Sequence, residues 1–300
     1  MSVDVTDKRP LLGTTFLLCA ALFWGMGFYA QRVSIAVVPP LTATALRFCI
    51  ALPVVVAALW WCRRRAPLPW GPGLVLGALL YLGFAVQTVA LLHTPVTRVA
   101  LITGLYAVLT PLLQPLFGLG RPTRLQLVGA ASAVVGMGLL CGIVGDARAL
   151  TTPFNVGDVL TFIMAVVSAI CVLLVGRLAP GNDPIALNAV QIFVMTVLAV
   201  VVAPVFEGLP SIELLASAPA ATWWSLVYLA IFSTIAAFLL QLLGQRHLSP
   251  TPATTIMLLE TPIGVVAAVL LLAEHMGGLQ WLGAGFAVFA VVLAVFGERR

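Results

Sequence analysis

Ten times between Leu11 and Gly297 the chain runs for about twenty residues with scarcely a charged side chain. That is the length a helix needs to cross about 30 Å of hydrocarbon. The runs lie at 11–31, 41–62, 73–93, 99–119, 125–145, 158–176, 184–205, 222–245, 252–273 and 278–297, with charges, prolines and glycines gathered between them. Hydrocarbon tolerates no unpaired backbone, and no alternating pattern suggests a barrel, so the runs are read as helices. The composition agrees: 62% of residues are hydrophobic and 8% charged, against about 25% charged in a soluble domain. A soluble globule, a disordered chain and a nucleic-acid binder are thereby excluded. The polar start, MSVDVTDKRP, leads into a run read as a retained first helix rather than a signal peptide. Cys19, Cys49, Cys62, Cys141 and Cys171 lack the paired spacing of a zinc or redox site and read as small buried side chains.

Basic residues set the expected orientation. With a cytoplasmic N-terminus, eleven fall inside: Lys8, Arg9, Arg63, Arg64, Arg65, Arg121, Arg124, Arg177, Arg246, Arg299 and Arg300. Only Arg32, Arg98 and Arg148 fall outside, with Asp146, Asp158, Glu207, Glu213 and Glu274. Both termini are therefore expected in the cytoplasm.

The halves repeat. Pro40-Leu41 is followed by Arg47 seven positions after the proline, and Pro184-Ile185 by Gln191 at the same spacing. Thr110-Pro111 precedes Leu125-Gln126-Leu127-Val128-Gly129-Ala130, and Thr261-Pro262 precedes Leu279-Gln280-Trp281-Leu282-Gly283-Ala284. Five helices per repeat is an odd number, so the second copy enters the membrane inverted. The expected architecture is an all-α membrane protein of ten transmembrane helices, in two inverted five-helix repeats at 11–145 and 156–297. Inverted repeats are a construction of secondary transporters, whose sites lie near the bilayer midplane.

Several motifs stand in order along this frame: Phe23-Trp24-Gly25-Met26-Gly27, Leu46-Arg47-Phe48, Leu258-Leu259-Glu260-Thr261-Pro262, and Ala273-Glu274 with Gln280-Trp281-Leu282-Gly283-Ala284. Through them the chain resembles the drug/metabolite transporter superfamily, in particular its ten-helix EamA type, over nearly its whole length. The resemblance implies transport of small metabolites, often export of amino acids or related compounds, aromatic ones included. One position departs from it. Family members often carry a glutamate after the fourth helix, where this chain has Gly120, so a role for such a carboxylate is confined to Glu274.

A charge at mid-membrane is costly unless paired or hydrated and marks a candidate site. Glu260 is the acid well inside a run; it reads as a proton-coupling or cation-recognising carboxylate, or as a structural partner for Arg47 or for donors freed by Pro262. Arg47 reads as a pin holding the second helix to its neighbours, or as the anchor of a substrate carboxylate. Pro111 and Pro262 each remove a helical hydrogen bond, leaving the carbonyls of Ala107 and Leu258 to bind an ammonium or water, or simply kinking the helix. Polar residues at helical spacing form stripes: Thr103, Tyr106, Thr110 and Gln114; Thr161, Ser168 and Cys171; Thr234, Gln241 and Gln245. They line a wetted cavity or bond between helices. Trp24, Tyr81, Tyr106 and Tyr228 lie deeper than the interfacial tryptophans and offer an aromatic wall, or ordinary packing. Gly25 and Gly27 allow close helix approach.

No phosphate-cradling loop and no metal-ligand cluster occurs in the sequence, so no cofactor and no metal are expected, and the chain is not read as an enzyme. The leading reading is a secondary transporter exporting amino acids or similar metabolites across a bacterial inner membrane by alternating access. Efflux of lipophilic cations, an integral membrane enzyme and a scaffold are the alternatives. Partners are a small-molecule substrate, the lipid bilayer and protons as the candidate coupling ion, with no nucleic acid; the protein is a monomer or a homodimer.

Overall fold

The computed structural model describes residues 9–90, 92–94, 99, 102–140, 155–263 and 278–298. The end of the ninth run (264–273), Cys141, Glu274, Asp146, Arg98, Arg148, Lys8, Arg299 and Arg300 lie outside the described residues. Among the described residues the secondary structure is helical throughout: α1 (Pro10–Ile35), α2 (Pro40–Arg63), α3 (Trp70–Ala90), α4 (Tyr106–Leu113), α5 (Arg124–Leu140), α6 (Val156–Leu178), α7 (Pro184–Glu207), α8 (Ala220–Gln245), α9 (Pro250–Met257) and α10 (Gly278–Glu298). Six of them (α1, α2, α3, α6, α7 and α8) are long and apolar enough to cross a membrane; the apolar stretches Ile102–Phe117, Arg124–Gly136 and Trp281–Leu293 are shorter. A one-and-a-half-turn helix, Ile212–Ser217, fills the α7–α8 connection.

Local chemistry starts these helices where the charges stop. Asn155 caps α6 through a reciprocal box: its side chain accepts from the Asp158 amide at 3.1 Å, and Asp158 accepts from the Asn155 amide at 2.9 Å. Asp183 caps α7 by accepting from the Ala186 amide at 2.8 Å. At α2 the residue before Pro40 is Pro39, which has no side-chain oxygen. The cap comes from another helix. Glu207, the last residue of α7, accepts from the Leu41 amide at 2.8 Å and from the Thr42 amide and hydroxyl at 2.7 and 2.8 Å. This carboxylate closes α2's positive end and fixes α2 against α7. Glu207→Ala should therefore lower stability by about 1–2 kcal/mol, read as a lower midpoint of thermal unfolding in detergent; an unchanged midpoint would show the cap to be dispensable.

Runs four and nine, expected as continuous helices, are interrupted. Leu105 forms a turn before α4, and α4 tightens into a 3-10 turn at Gln114–Phe117. Helix α9 breaks at Leu258–Leu259 and resumes at Glu260. The cause in the ninth run is Pro262, whose ring crowds the carbonyl four residues earlier, that of Leu258. This carbonyl accepts from the Thr261 amide at 3.2 Å, which takes up one of its two lone pairs.

Packing draws from both halves. α5 pairs with α10, α2 with α7, α3 with α6 and α7, and α1 with α8. α5 and α10 meet backbone to backbone, so that a methyl group added at Gly136 would lie 2.7 Å from the Gly283 carbonyl oxygen. Two large apolar clusters result. One joins Phe48, Tyr81, Ile192, Met195 and Phe238, from α2, α3, α7 and α8. The other joins Leu17, Tyr106, Ala133, Ala169, Ile256 and Ala290, from α1, α4, α5, α6, α9 and α10. Trp24 packs against both.

Candidate functional site

Between these two clusters lies a cavity of about 130 Å³. It is lined by Arg47 from α2, Leu80, Phe84 and Gln87 from α3, and Ser233, Phe238 and Gln241 from α8. Trp24, Gly27 and Gln31 from α1, Thr103 and Tyr106 from the fourth run, Met164, Ser168, Cys171 and Val172 from α6, and Met257 and Glu260 from the ninth run complete the lining. The lining is mostly apolar with a few convergent polar groups, the usual make-up of a small-molecule site.

Arg47 is 3% exposed and bonded to neutral partners. Its Nε donates to Thr234 Oγ1 at 2.6 Å, and its Nη2 to the Ser233 carbonyl and hydroxyl at 3.2 and 3.4 Å. The guanidinium lies 4.7 Å from the Phe84 ring centre and 5.5 Å from that of Phe48, a cation–π setting. Among the described residues no carboxylate pairs with it.

The Ser233 carbonyl lies within a π-helical stretch of α8 at Leu229–Ala236. Such turns cluster at functional sites because they release backbone groups from the regular ladder. Here the Thr234 hydroxyl donates five residues back to Leu229 O at 2.8 Å, and Trp24 Nε1 donates to Ser233 O at 3.0 Å. One released carbonyl thus joins α1, α2 and α8.

Glu260 stands just beyond the break in the ninth run. Its backbone is pressed against α1: a methyl group at Gly25 would lie 2.6 Å from the Glu260 carbonyl oxygen. The glycine of the α1 motif is therefore what lets the glutamate motif approach the cavity. Among the described residues the Glu260 carboxyl forms no ion pair, so the structural pairing with Arg47 considered from sequence is absent there.

The remaining candidates divide. Trp24, Thr103, Tyr106, Ser168, Gln241, Glu260 and Arg47 share the cavity wall. Thr103 is 5% exposed and its hydroxyl has no partner among the described residues, leaving it free for a ligand. The others lie elsewhere. Tyr81 packs in the α2–α3–α7–α8 cluster. Tyr228 stacks on Phe232 and donates to the Phe23 carbonyl at 3.1 Å. Thr110 donates to the Tyr106 carbonyl at 2.8 Å, and Gln114 accepts from Thr251 at 2.7 Å. Pro111 is buried, with Pro262 beside the break. Gln191, at the repeat position of Arg47, donates to Asn188 at 3.0 Å. Sequence reasoning missed Gln31, Gln87, Phe84, Ser233, Phe238 and Met257. Met257 had a signal, since it occupies the repeat position of Tyr106.

This division is testable by labelling. In a cysteine-free background, Thr103→Cys and Tyr106→Cys should react with a small polar thiol reagent and be protected by substrate. Thr110→Cys and Gln114→Cys should do neither, and equal reactivity at all four would extend the cavity along the whole stripe.

Known proteins share this organisation. A family model described as "EamA-like transporter family" matches residues 11–142 and again 155–296. A transporter of Archaeoglobus fulgidus, described as uncharacterized, is 26% identical over 281 residues, covering 92% of this chain and 83% of its own. The Escherichia coli K12 protein described as an uncharacterized inner membrane transporter, YedA, is 26% identical over 300 residues, covering 96% and 92%. A solved crystal structure, 22% identical, shares the fold with a TM-score of 0.79 over 96% of this chain and 98% of the other.

Proposed function

The chain belongs to the EamA-like transporter family, and we propose that it exports amino acids or related small metabolites across a bacterial inner membrane by alternating access. The observation that carries the substrate class is the pairing of two charges on one cavity wall: Arg47, buried among neutral partners, and Glu260. A zwitterion fits both, its carboxylate on the Arg47 fork and its ammonium on Glu260. The Thr103 hydroxyl offers a further bond, and Trp24, Phe84, Phe238 and Met257 receive an apolar or aromatic side chain.

The two charges also come from different helices, Arg47 from α2 and Glu260 from the ninth run. A substrate bridging them draws those helices together, which gives the differential contact an alternating-access step requires. The pairing of α2 with α7, α5 with α10 and α3 with α6 mirrored by α8 with α1 supports two inverted units, 11–145 and 156–297. The basic surface supports cytoplasmic termini, and the Glu260 carboxyl is the proposed carrier of a coupling proton. Efflux of a lipophilic cation would also use Glu260 and the aromatic wall, yet it would place like charges together at Arg47.

Counterflow in proteoliposomes separates these readings. A labelled amino acid should exchange against unlabelled amino acids and not against nucleosides, sugars or cationic dyes. Exchange confined to the dyes would favour cation efflux.

A further inference from the structure

We propose that the arginine-rich end of α2, with the facing start of α7, binds the phosphate headgroup of an anionic phospholipid. A second cavity, about 270 Å³, lies there, away from the transport cavity and sharing no residue with it. Trp61 lines it from α2, Arg65, Pro67 and Pro69 from the α2–α3 connection, and Asn182 and Asp183 from the α6–α7 connection. The place is one end of the bundle, where α2 and α6 finish and α3 and α7 begin.

The arginines are held for this purpose. The Arg64 guanidinium stacks 3.5 Å over the Trp60 ring, and that of Arg65 3.5 Å over Trp61. Stacking occupies the faces of the guanidinium and leaves its N–H edges for an acceptor in the plane, the geometry that suits a phosphate oxygen pair. Trp60 and Trp61 are 47% and 41% exposed, and Val54 and Val56 on the same helix are exposed as well. The site therefore opens beside the lipid-facing surface, with indole rings at headgroup depth.

Arg65 lines the cavity together with one acid, Asp183, and Arg63 and Arg64 adjoin Arg65 in the chain. One oxygen of that acid is already bound to the Ala186 amide at 2.8 Å, at the positive end of α7. The balance favours an anion, and basic pockets between spanning helices are places where anionic headgroups dock. A free phosphate shares the headgroup's chemistry but makes no use of the exposed apolar flank of α2, so the lipid is the assigned source.

The test uses the full chain purified in a nonionic detergent, with thermal unfolding and native mass spectrometry as readouts. Phosphatidylglycerol should bind and raise the unfolding midpoint, whereas phosphatidylcholine and inorganic phosphate should not. The double variant Arg64→Gln/Arg65→Gln should weaken phosphatidylglycerol binding roughly thirtyfold. The control Arg121→Gln/Arg124→Gln, which removes the same charge from exposed positions elsewhere on the basic surface, should leave binding near the parent value. Equal weakening in the two double variants would reduce the effect to overall surface charge and overturn the site. An equal response to inorganic phosphate or to phosphatidylcholine would overturn the assignment to an anionic lipid.

Discussion

Arg47→Gln is expected to weaken substrate binding by about thirtyfold or more while leaving a folded protein. The guanidinium is buried, with hydroxyl, carbonyl and ring partners but no carboxylate among the described residues. A buried charge without a counter-ion is costly, and a substrate carboxylate is the group that offsets it. Truncating one side of such a buried charged pair costs about 2–5 kcal/mol, hence a rise of about thirtyfold or more in the half-saturation for counterflow. Removing the guanidinium costs folding less, because among the described residues no carboxylate neutralises the charge it deletes. Arg47→Lys sharpens the point. One ammonium cannot reach Thr234 and Ser233 while presenting a two-pronged edge to a carboxylate, so affinity should fall here too, by less. If Arg47 serves only as a pin between α2 and α8, Arg47→Gln lowers the unfolding midpoint and the surviving protein binds substrate as tightly as the parent.

Glu260→Gln carries the second large effect: loss of transport driven by a pH gradient, with exchange across the membrane retained at weaker affinity. Glutamine keeps the shape of the side chain and removes the group that can carry a proton. Because no ion pair joins Glu260 to Arg47 among the described residues, the change strands no buried cation, and the variant should unfold near the parent temperature. The double variant Arg47→Gln/Glu260→Gln should accordingly be no more active than either single one. Recovery of activity in the double would mean that the two residues pair in another state of the protein. An unaltered driven rate in Glu260→Gln would make the acid a bystander and transport a facilitated diffusion.

How much of this was legible beforehand depended on the kind of signal. The six long helices were, because a charge or proline between apolar runs is costly to place in hydrocarbon. Arg47 and Glu260 stood out for the same reason, as charged intrusions into apolar segments. Thr103 and Tyr106 were legible as part of a stripe, but Thr110 and Gln114 were not separable from them. Spacing identifies a helix face and not the neighbour it meets, and the tightening into a 3-10 turn at Gln114 changes that face. Gln114 meets Thr251 of α9 instead. Tyr81 and Tyr228 both lie early in their helices, yet one is core and the other bonds to the Phe23 carbonyl.

The π-helical stretch of α8 had no signature at all. The contacts it carries are tertiary, since Trp24 and Arg47 both donate to the Ser233 carbonyl within it. The arrangement of the halves was only half visible. The repeat suggested a site between two sequence units, whereas the cavity lies between two packing clusters that each take helices from both units. Interdigitation of that sort follows from helix pairing and leaves no mark in either half alone.

The claim that one cavity grips a zwitterion at both ends is tested most directly by equilibrium binding to the purified protein. The ligands are the amino acid selected by counterflow, its methyl ester and its deaminated acid. The ester lacks the charge for Arg47, and the deaminated acid lacks the one for Glu260. The account predicts that each analogue binds far more weakly than the amino acid, and that Arg47→Gln abolishes the distinction between amino acid and ester. Equal binding of all three ligands, or tight binding of a lipophilic cation with none of the amino acid, would contradict it.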